Sequence, residues 1–441
     1  MKIIIAGAGT VGYNLAKTLS NHHDVTVIDR NIDAVTRLMD DLDILAICGD
    51  AEDPNTYANM ETDADFFIAV TDSDEANIIS SLIADDMIDI KKKIVRFKNS
   101  FFAKHSLKEK LNIFASVFPA YETANTLAHL LEFPKANNVK ILDHTDTALV
   151  SVRARNMHLR KDDAKQLQNS VIIAGIEREG DFFIPESDEQ IQDNDLLYLF
   201  GMKDDLKKSY LEFDSEMPKS IRNCVIFGGG TLGVEMARVL AAKNIQVKII
   251  EKSLELCESA SKALQNSATV LHSRYGWEHL FEEEGIKHAD MMIAATKDDE
   301  YNVIKCMEGK RSGIAKVIAV NDDIEYYSLM HSLGIVAIRG NKINAYYKIL
   351  EKIHSSKIVT EKIFCGGKGS LMTQKIFPDS NLIGKKIESL KKIRRYARVY
   401  LIRQNTITQA DETSIYMKND VVAIFSQLKN LEMLKTWISE A

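Results

Sequence analysis

Two stretches of this chain carry the same local instruction. Residues 2–19, KIIIAGAGTVGYNLAKTL, run an apolar strand into Gly7-x-Gly9-x-x-Gly12 and on into a helical pattern. Residues 223–240, NCVIFGGGTLGVEMARVL, do the same through Gly228-x-Gly230-x-x-Gly233. Later landmarks keep step: ADFFIAVTDSDEANII (64–79) matches ADMMIAATKDDEYNVI (289–304), pairing Asp65 with Asp290, Thr71 with Thr296, Asp74 with Asp299, Glu75 with Glu300 and Asn77 with Asn302. A period of half the chain is too long for a solenoid, so a whole domain has been duplicated.

Each copy alternates strand and helix, which calls for a parallel sheet covered on both faces. Strands are expected near 2–6, 24–28, 44–48, 66–70, 93–97 and 113–117, and again near 223–227, 246–250, 268–272, 291–295, 315–320 and 335–338. Pro119 and Pro134 bracket a helical stretch with Leu127, Leu130 and Leu131 on one apolar stripe. That helix either packs on its own sheet or crosses over at a subunit interface. Residues 139–213 are strand-rich, with Arg178-Glu179-Gly180-Asp181 reading as a hairpin turn, and residues 357–437 repeat this smaller unit. The segment 214–220, with Pro218, reads as the linker between halves. The expected fold is α/β: two tandem Rossmann-like doubly wound parallel-sheet domains (1–133 and 218–354), each followed by a small α+β domain (134–217 and 355–441).

The glycines have separate tasks. Gly7 permits the tight turn, Gly9 admits a pyrophosphate to the backbone, and Gly12 lets helix pack on strand. Phosphates then meet free N–H groups at the positive end of the helix dipole. Thr10 and Val11, like Thr231 and Leu232, occupy the turn itself. Asp29 ends the second strand a little over twenty positions beyond Gly7, and Glu251 does so beyond Gly228. An acid there accepts hydrogen bonds from a ribose diol and repels a 2′-phosphate, favouring NAD or an adenine nucleotide over NADP. Arg30 follows Asp29 directly. Gly49, Asp50 and Ala51 fall where an adenine ring would lie, whereas the second copy reads His272-Ser273-Arg274. Thr71 and Asp72 sit at the carboxyl end of the fourth strand, where open α/β sheets bind ligands. Arg96 ends the fifth strand, placed for either a phosphate or a plain salt bridge.

The rest of the sequence argues against several classes. Net charge is −7 with a pI near 5.9, giving no global attraction to nucleic acid. The run Lys385-Lys386, Lys391-Lys392, Arg394-Arg395 reads as a solvated face. The five cysteines form no CxxC, so neither a disulfide framework nor a metal site is expected. No stretch has the apolar length for a membrane span. No HExxH, GxSxG, Walker lysine or Tyr-xxx-Lys arrangement is present, and no catalytic residue is assigned.

Gly7-Ala8-Gly9-Thr10-Val11-Gly12, Asp29, Gly49-Asp50-Ala51 and AVTDSDEAN together resemble the TrkA family, the cytosolic regulatory subunits of Trk-type bacterial potassium uptake systems, across essentially the whole chain. The resemblance implies tandem RCK/KTN units that are not enzymes. It implies a homotetramer, cytoplasmic and held at the inner face of the plasma membrane by a membrane-embedded Trk-type potassium channel subunit. NAD(H), ATP or ADP would change this ring and thereby the pore. Gly7, Gly9, Gly12, Asp29, Asp50 and Ala51 would line the first nucleotide site, and Gly228, Gly230, Gly233 and Glu251 the second. The 119–134 helix would be the family's crossover helix. Two departures stand out. His272-Ser273-Arg274 breaks the family's Gly-Asp-Ala pattern, and Thr10 and Thr231 stand where relatives activated by ATP carry an arginine. An NAD-dependent oxidoreductase with duplicated cofactor domains is the rival reading.

Overall fold

The computed structural model describes residues 1–441 except 59, 61, 105–106, 143–144, 156–170, 187–188, 214–219, 324, 355–358, 379, 388–389 and 441. The 214–220 linker therefore falls almost wholly outside the described residues.

Two six-stranded parallel sheets share one topology. In spatial order the first is Leu45–Cys48, Asp24–Asp29, Lys2–Ala6, Asp63–Ala69, Asp89–Arg96 and Ala115–Val117. The second is Thr269–His272, Gln246–Glu251, Asn223–Phe227, Met291–Ala294, Lys316–Asn321 and Val336–Arg339. Both follow the Rossmann order 3-2-1-4-5-6. Strand Lys2–Ala6 shows why the run is unbroken in apolarity. Ile3 and Ile5 enter one core with Val11 and Leu15, while Ile4 and Ala6 enter another with Phe67 and Ala84. With helices on both faces, both sides of the pleat must be apolar.

The smaller units are five-stranded antiparallel sheets. In the first, strand Leu196–Met202 lies between Val171–Arg178 and Thr147–Arg153. The hairpin between Val171–Arg178 and Asp181–Phe183 turns on Glu179 and Gly180, both at positive φ, 51° and 89°. Each small unit also holds a bidentate ion pair: Arg178 forks onto buried Asp195 at 2.9 and 2.8 Å, and Arg403 onto buried Asp420 at 2.8 and 2.7 Å. The two sheets meet through one aromatic core that includes Phe182, Phe200, Phe364, Tyr400 and Phe425. In the basic run, Lys391 is solvent-exposed and paired with Glu412 at 2.9 Å.

The two Rossmann units exchange their last helices. The Pro119–Glu132 helix does not cover its own sheet; Ala120, Ala124, Leu127 and Leu130 join the core of the second unit with Met236, Ala237 and Leu240. Reciprocally, Ala345, Ile349 and Ile353 of the Asn341–His354 helix join Ile3, Val11 and Leu15 of the first. Polar contacts stitch the seam: Thr18 Oγ1 to Tyr346 Oη at 2.8 Å, Asn344 Nδ2 to Thr123 Oγ1 at 2.9 Å, and Ser100 Oγ to Glu235 Oε1 at 2.8 Å. Neither placement expected for the proline-bracketed helix is found as stated: it leaves its own sheet, but the interface it enters is between two units of one chain and not between subunits.

Candidate nucleotide-binding site

Gly7 leaves the first strand with φ 112°, a conformation that disfavours any side chain, and a Cβ there would meet Thr71 N at 3.0 Å. Gly12 supports the turn from below: a Cβ would lie 1.8 Å from Gly7 O. Gly9, by contrast, has open space around its missing Cβ. It is also the N-cap of the Thr10–Leu19 helix and offers no side-chain cap, and the first turn holds no acid. Two other helices of the same unit are capped, by Asn31 Oδ1 on Asp33 N and by Ser73 Oγ on Ala76 N. The helix at the glycine turn thus keeps its first N–H groups for a ligand.

Above this turn lies a cleft of about 400 Å³. Gly7, Gly9, Thr10, Val11, Asp29, Arg30, Gly49, Asp50, Ala51, Thr71, Asp72 and Arg96 all line it. Gly12 does not, because it is packed beneath the turn. Asp29 is held by backbone donors, Oδ2 accepting from Ala8 N at 2.6 Å and Oδ1 from Asn31 N at 2.8 Å. Arg30 reaches Asp50 at 3.6 Å and Glu52 at 3.5 Å across the rim. Thr71 is positioned by Asn77, whose buried amide accepts from Thr71 N (2.8 Å) and Oγ1 (2.7 Å) and donates to Thr71 O and Arg96 O. The repeated asparagine is therefore a latch between strand ends, and Asn302 makes the same bonds to Thr296 and Val320. Asp74 and Asp299 are not the caps of their helices. Ser73 and Asp298 cap, while Asp74 clasps Lys98 N and Asn99 N, and Asp299 clasps Asp322 N and Asp323 N.

Arg96 is 9% exposed. One Nη reaches Val70 O at 3.5 Å and Asp72 at 3.6 Å, a long contact to an exposed carboxylate. Its buried Nε has no hydrogen-bond partner among the described residues. A guanidinium left incomplete on the wall of a cleft fits an anion such as a phosphate, since burying an unsatisfied donor is otherwise costly.

Sequence reasoning missed Lys342, which also lines the cleft. It comes from the second unit, at the start of the exchanged Asn341–His354 helix, where Asp322 Oδ1 accepts from Lys342 N at 2.7 Å and Ile343 N at 3.1 Å. The only sequence signal is the apolar spacing Ala345, Ile349, Ile353, which says that the helix docks but not where.

The second glycine turn repeats the backbone. Gly228 has φ 113°, a Cβ on Gly233 would lie 1.9 Å from Gly228 O, and Gly230 is an open N-cap followed by Thr231 and Leu232. The surroundings differ. Glu251 spends both oxygens on backbone N–H groups, of Gly229 at 2.7 Å, Lys252 at 2.7 Å and Ser253 at 2.8 Å. Its extra methylene is accommodated because Gly229 replaces Ala8: a Cβ there would meet Glu251 Cβ at 3.1 Å. Strand pairing aligns Asp29 with Cys48 and Glu251 with His272, so Gly49, Asp50 and Ala51 correspond to Ser273, Arg274 and Tyr275. His272 and Arg274 both turn onto Lys252 O. Val320 replaces Arg96, and Tyr301 replaces Ala76 under the Lys252 ammonium at 4.1 Å. Burial, with Glu308 and Glu251 nearby, pushes the Tyr301 hydroxyl up to about 12.

Comparison with known proteins places this arrangement. The TrkA-N domain model matches twice, over residues 3–115 and 224–339. The chain belongs to this family. A Trk system potassium uptake protein TrkA homolog of Archaeoglobus fulgidus is 28% identical, covering 99% of both chains. The Trk system potassium uptake protein TrkA of Halomonas elongata is 31% identical over 75% of this chain and 74% of that protein. Among solved structures, the GsuK channel bound to NAD superposes with a TM-score of 0.63 at 16% identity, covering 100% of this chain and 79% of that one. That likeness extends the TrkA-N halves to the full four-unit fold.

Proposed function

We propose that the chain is a nucleotide-sensing regulatory subunit that gates potassium uptake through a membrane partner, without chemistry on its ligand. The observation carrying this reading is the unpartnered Arg96 Nε on the wall of a cleft completed by Lys342 of the other Rossmann unit. Gly7, Gly9, Thr10 and Val11 would hold the phosphates, with Arg96 beside them. Asp29 would hold the ribose diol, and Gly49, Asp50 and Ala51 the adenine edge, with Arg30, Thr71 and Asp72 on the rim and Gly12 supporting the turn. NAD(H) is the first candidate, and ATP and ADP are the others. A ligand moves an equilibrium only through unequal affinity for two states. A cleft walled by two units supplies that inequality, because closing their seam changes its contacts. Couplings of ~1–3 kcal/mol are typical.

The reading divides the chain at 1–133, 134–217, 218–354 and 355–441, and makes it a cytoplasmic homotetramer at the inner face of the membrane. Self-association is supported by a repeated apolar face: Ile79 and Leu82 on the Asp74–Met87 helix, and Ile304 and Met307 at matching places on Asp299–Arg311, are all exposed. Among the described residues no helix is long and apolar enough to cross a membrane. Gly228, Gly230, Thr231, Leu232, Gly233 and Glu251 form a second glycine turn whose ligand, if any, differs from the first.

Titration calorimetry of the purified chain with NADH, NAD, ATP and ADP tests this. Saturable binding that Arg96→Gln weakens is expected, with no change in reduced-nicotinamide absorbance across a metabolite panel. Turnover of the nicotinamide would establish the oxidoreductase reading instead, and failure of all four nucleotides to bind would end the sensing one.

A further inference from the structure

The two small units share a sheet architecture and carry opposite charge. Residues 134–217 hold eleven Lys and Arg against seventeen Asp and Glu, whereas residues 355–441 hold fifteen against eight. The excess in the second unit is concentrated. Lys385, Lys386, Lys391, Lys392, Arg394 and Arg395 fall within eleven positions that contain one acid, Glu388.

The sheet turns these bases outward. One side of it, including Leu371, Tyr400 and Phe425, meets the first small unit. The other side, including Met372, Val399 and Ile424, is closed by Ile387, Leu390 and Ile393, and that core takes no residue from another unit. With the apolar side chains of the segment turned in, all six bases are exposed. Lys391 pairs with Glu412, and among the described residues the other five make no ion pair. The neighbouring acids are engaged elsewhere: Asp411 accepts from Thr413 and Ser414 in its own turn, and Asp420 holds Arg403.

Charge alone would be satisfied by water. Three large apolar side chains, Phe377, Ile383 and Met417, are exposed beside the same bases. Backbone pairing gathers them: Gly384 N donates to Tyr416 O at 2.9 Å, Tyr416 N to Lys385 O at 3.0 Å, and Asn419 N to Ile376 O at 2.8 Å. These bonds make the backbones at Ile383, Met417 and Phe377 neighbours. Lys375 lies over the Phe377 ring at 5.4 Å, and Lys418 is exposed next to Met417. Single exposed apolar residues are ordinary, but a group of them rimmed by unpaired bases marks an interaction surface.

We propose that this face lies on the anionic headgroup surface of a bilayer, with its bases against lipid phosphates and Phe377, Ile383 and Met417 reaching the acyl boundary. A lipid surface offers both diffuse negative charge and an apolar layer, and a soluble polyanion offers only the first. The charge asymmetry also sets orientation, because an anionic surface attracts the second small unit and repels the acidic remainder of the chain. The inference rests on the proposed place at the membrane and not on what the glycine cleft binds.

The test is cosedimentation of the full chain, with no other protein, with vesicles of phosphatidylcholine alone or mixed with phosphatidylglycerol. Binding that requires phosphatidylglycerol is expected. Lys385→Gln/Lys386→Gln/Lys392→Gln should weaken it about tenfold or more at low salt. Lys208→Gln/Lys262→Gln/Lys297→Gln, the same charge change at exposed sites elsewhere, should leave most of it intact. Ile383→Ser/Met417→Ser should weaken it severalfold with charge unchanged, and soluble polyglutamate should compete poorly. Melting temperatures equal to that of the parent would show the variants folded. Absence of binding to both vesicles overturns the proposal. Equal losses in the two lysine variants also overturn it, since net charge is then the cause. Indifference to Ile383→Ser/Met417→Ser with full displacement by polyglutamate overturns it too, and assigns the face to an acidic protein segment. Nucleotide calorimetry is unaffected by any of these results, so failure here leaves the sensing reading standing.

Discussion

The two glycine turns share a backbone and differ in what surrounds it. In the first, Asp29 has one backbone partner on each oxygen, Arg96 has an unsatisfied Nε, and Gly9 faces a cleft of about 400 Å³. In the second, Glu251 is bonded to three backbone N–H groups, Val320 replaces the arginine, and Tyr301 lies half-buried under Lys252. The turn itself is thus a structural requirement of strand-to-helix packing, retained whether or not a ligand is bound. Ligand competence resides in the incomplete groups around it. A GxGxxG match reports the first property and is silent about the second.

The same substitution in both copies separates these roles. Gly12→Ala and Gly233→Ala place a Cβ 1.8 and 1.9 Å from the carbonyl of Gly7 and Gly228, so both should lower the melting temperature. Only Gly12→Ala should also weaken nucleotide binding, by about a hundredfold, because it displaces the phosphate turn by a large fraction of an ångström or more. Equal binding losses in calorimetry would mean that the second turn is ligated too. The next effect concerns the acids. Asp29→Ala removes a charged acceptor, and a hydrogen bond to a charged group contributes ~1.5–3 kcal/mol net, so loss of one should lower affinity roughly tenfold to a hundredfold. Glu251→Ala should leave affinity and stoichiometry unchanged while destabilising the second unit. A second unit insensitive in urea melts, or an affinity loss matching that of Asp29→Ala, would contradict the contrast.

Much of this was legible in the sequence because it is local. The glycine turns, the acids ending the second strands and the parallel sheets are written in short motifs and unbroken apolar runs, and strand positions shift by only a few residues at their ends. The correspondence of Asp50 with Arg274 was blurred by one position, since loops of different length precede it and only strand pairing fixes it. What sequence could not supply is tertiary. The orphaned Nε of Arg96 depends on how far Asp72 stands from it. Lys342 enters the cleft only because two helices trade places, and the Arg178–Asp195 and Arg403–Asp420 forks join the end of one strand to the residue just before another. Asn77 and Asn302 were found as repeated residues, but their latch role emerges from bonds to carbonyls on two strands.

Lys342 gives the comparison a smaller test. Its counterpart at the other exchanged helix is the uncharged Tyr121, because strand pairing makes Val117 and Ile338 equivalent. An exposed cation at a cleft rim contributes modestly and is screened by salt. Lys342→Ala should weaken a phosphate-bearing ligand about threefold at low salt, and the difference should vanish in high salt. A loss that persists in salt would show a buried contact instead.

The last contrast is in stability and tests how the seam differs on its two sides. Strand pairing makes Lys92 and Lys316 equivalent. Lys92 lies over the Phe66 and Phe114 rings at 5.6 and 4.6 Å, whereas Lys316 is half-buried against the first half of the chain, donating to Pro134 O at 2.8 Å. Burial pushes the Lys316 ammonium down to about 8, against roughly 10.4 for an unfolded lysine. Between those values the unfolded chain holds a proton that the folded chain has released, so the contribution of Lys316 to stability increases with pH from about 8 to about 10 and is least favourable below that window. Comparing urea midpoints at pH 7.5 and 9.5, Lys316→Met should lose this upward slope relative to the parent, and Lys92→Met should keep it. Identical slopes in all three proteins would mean that Lys316 stays charged against the Pro134 carbonyl, and that the two sides of the seam are electrostatically alike.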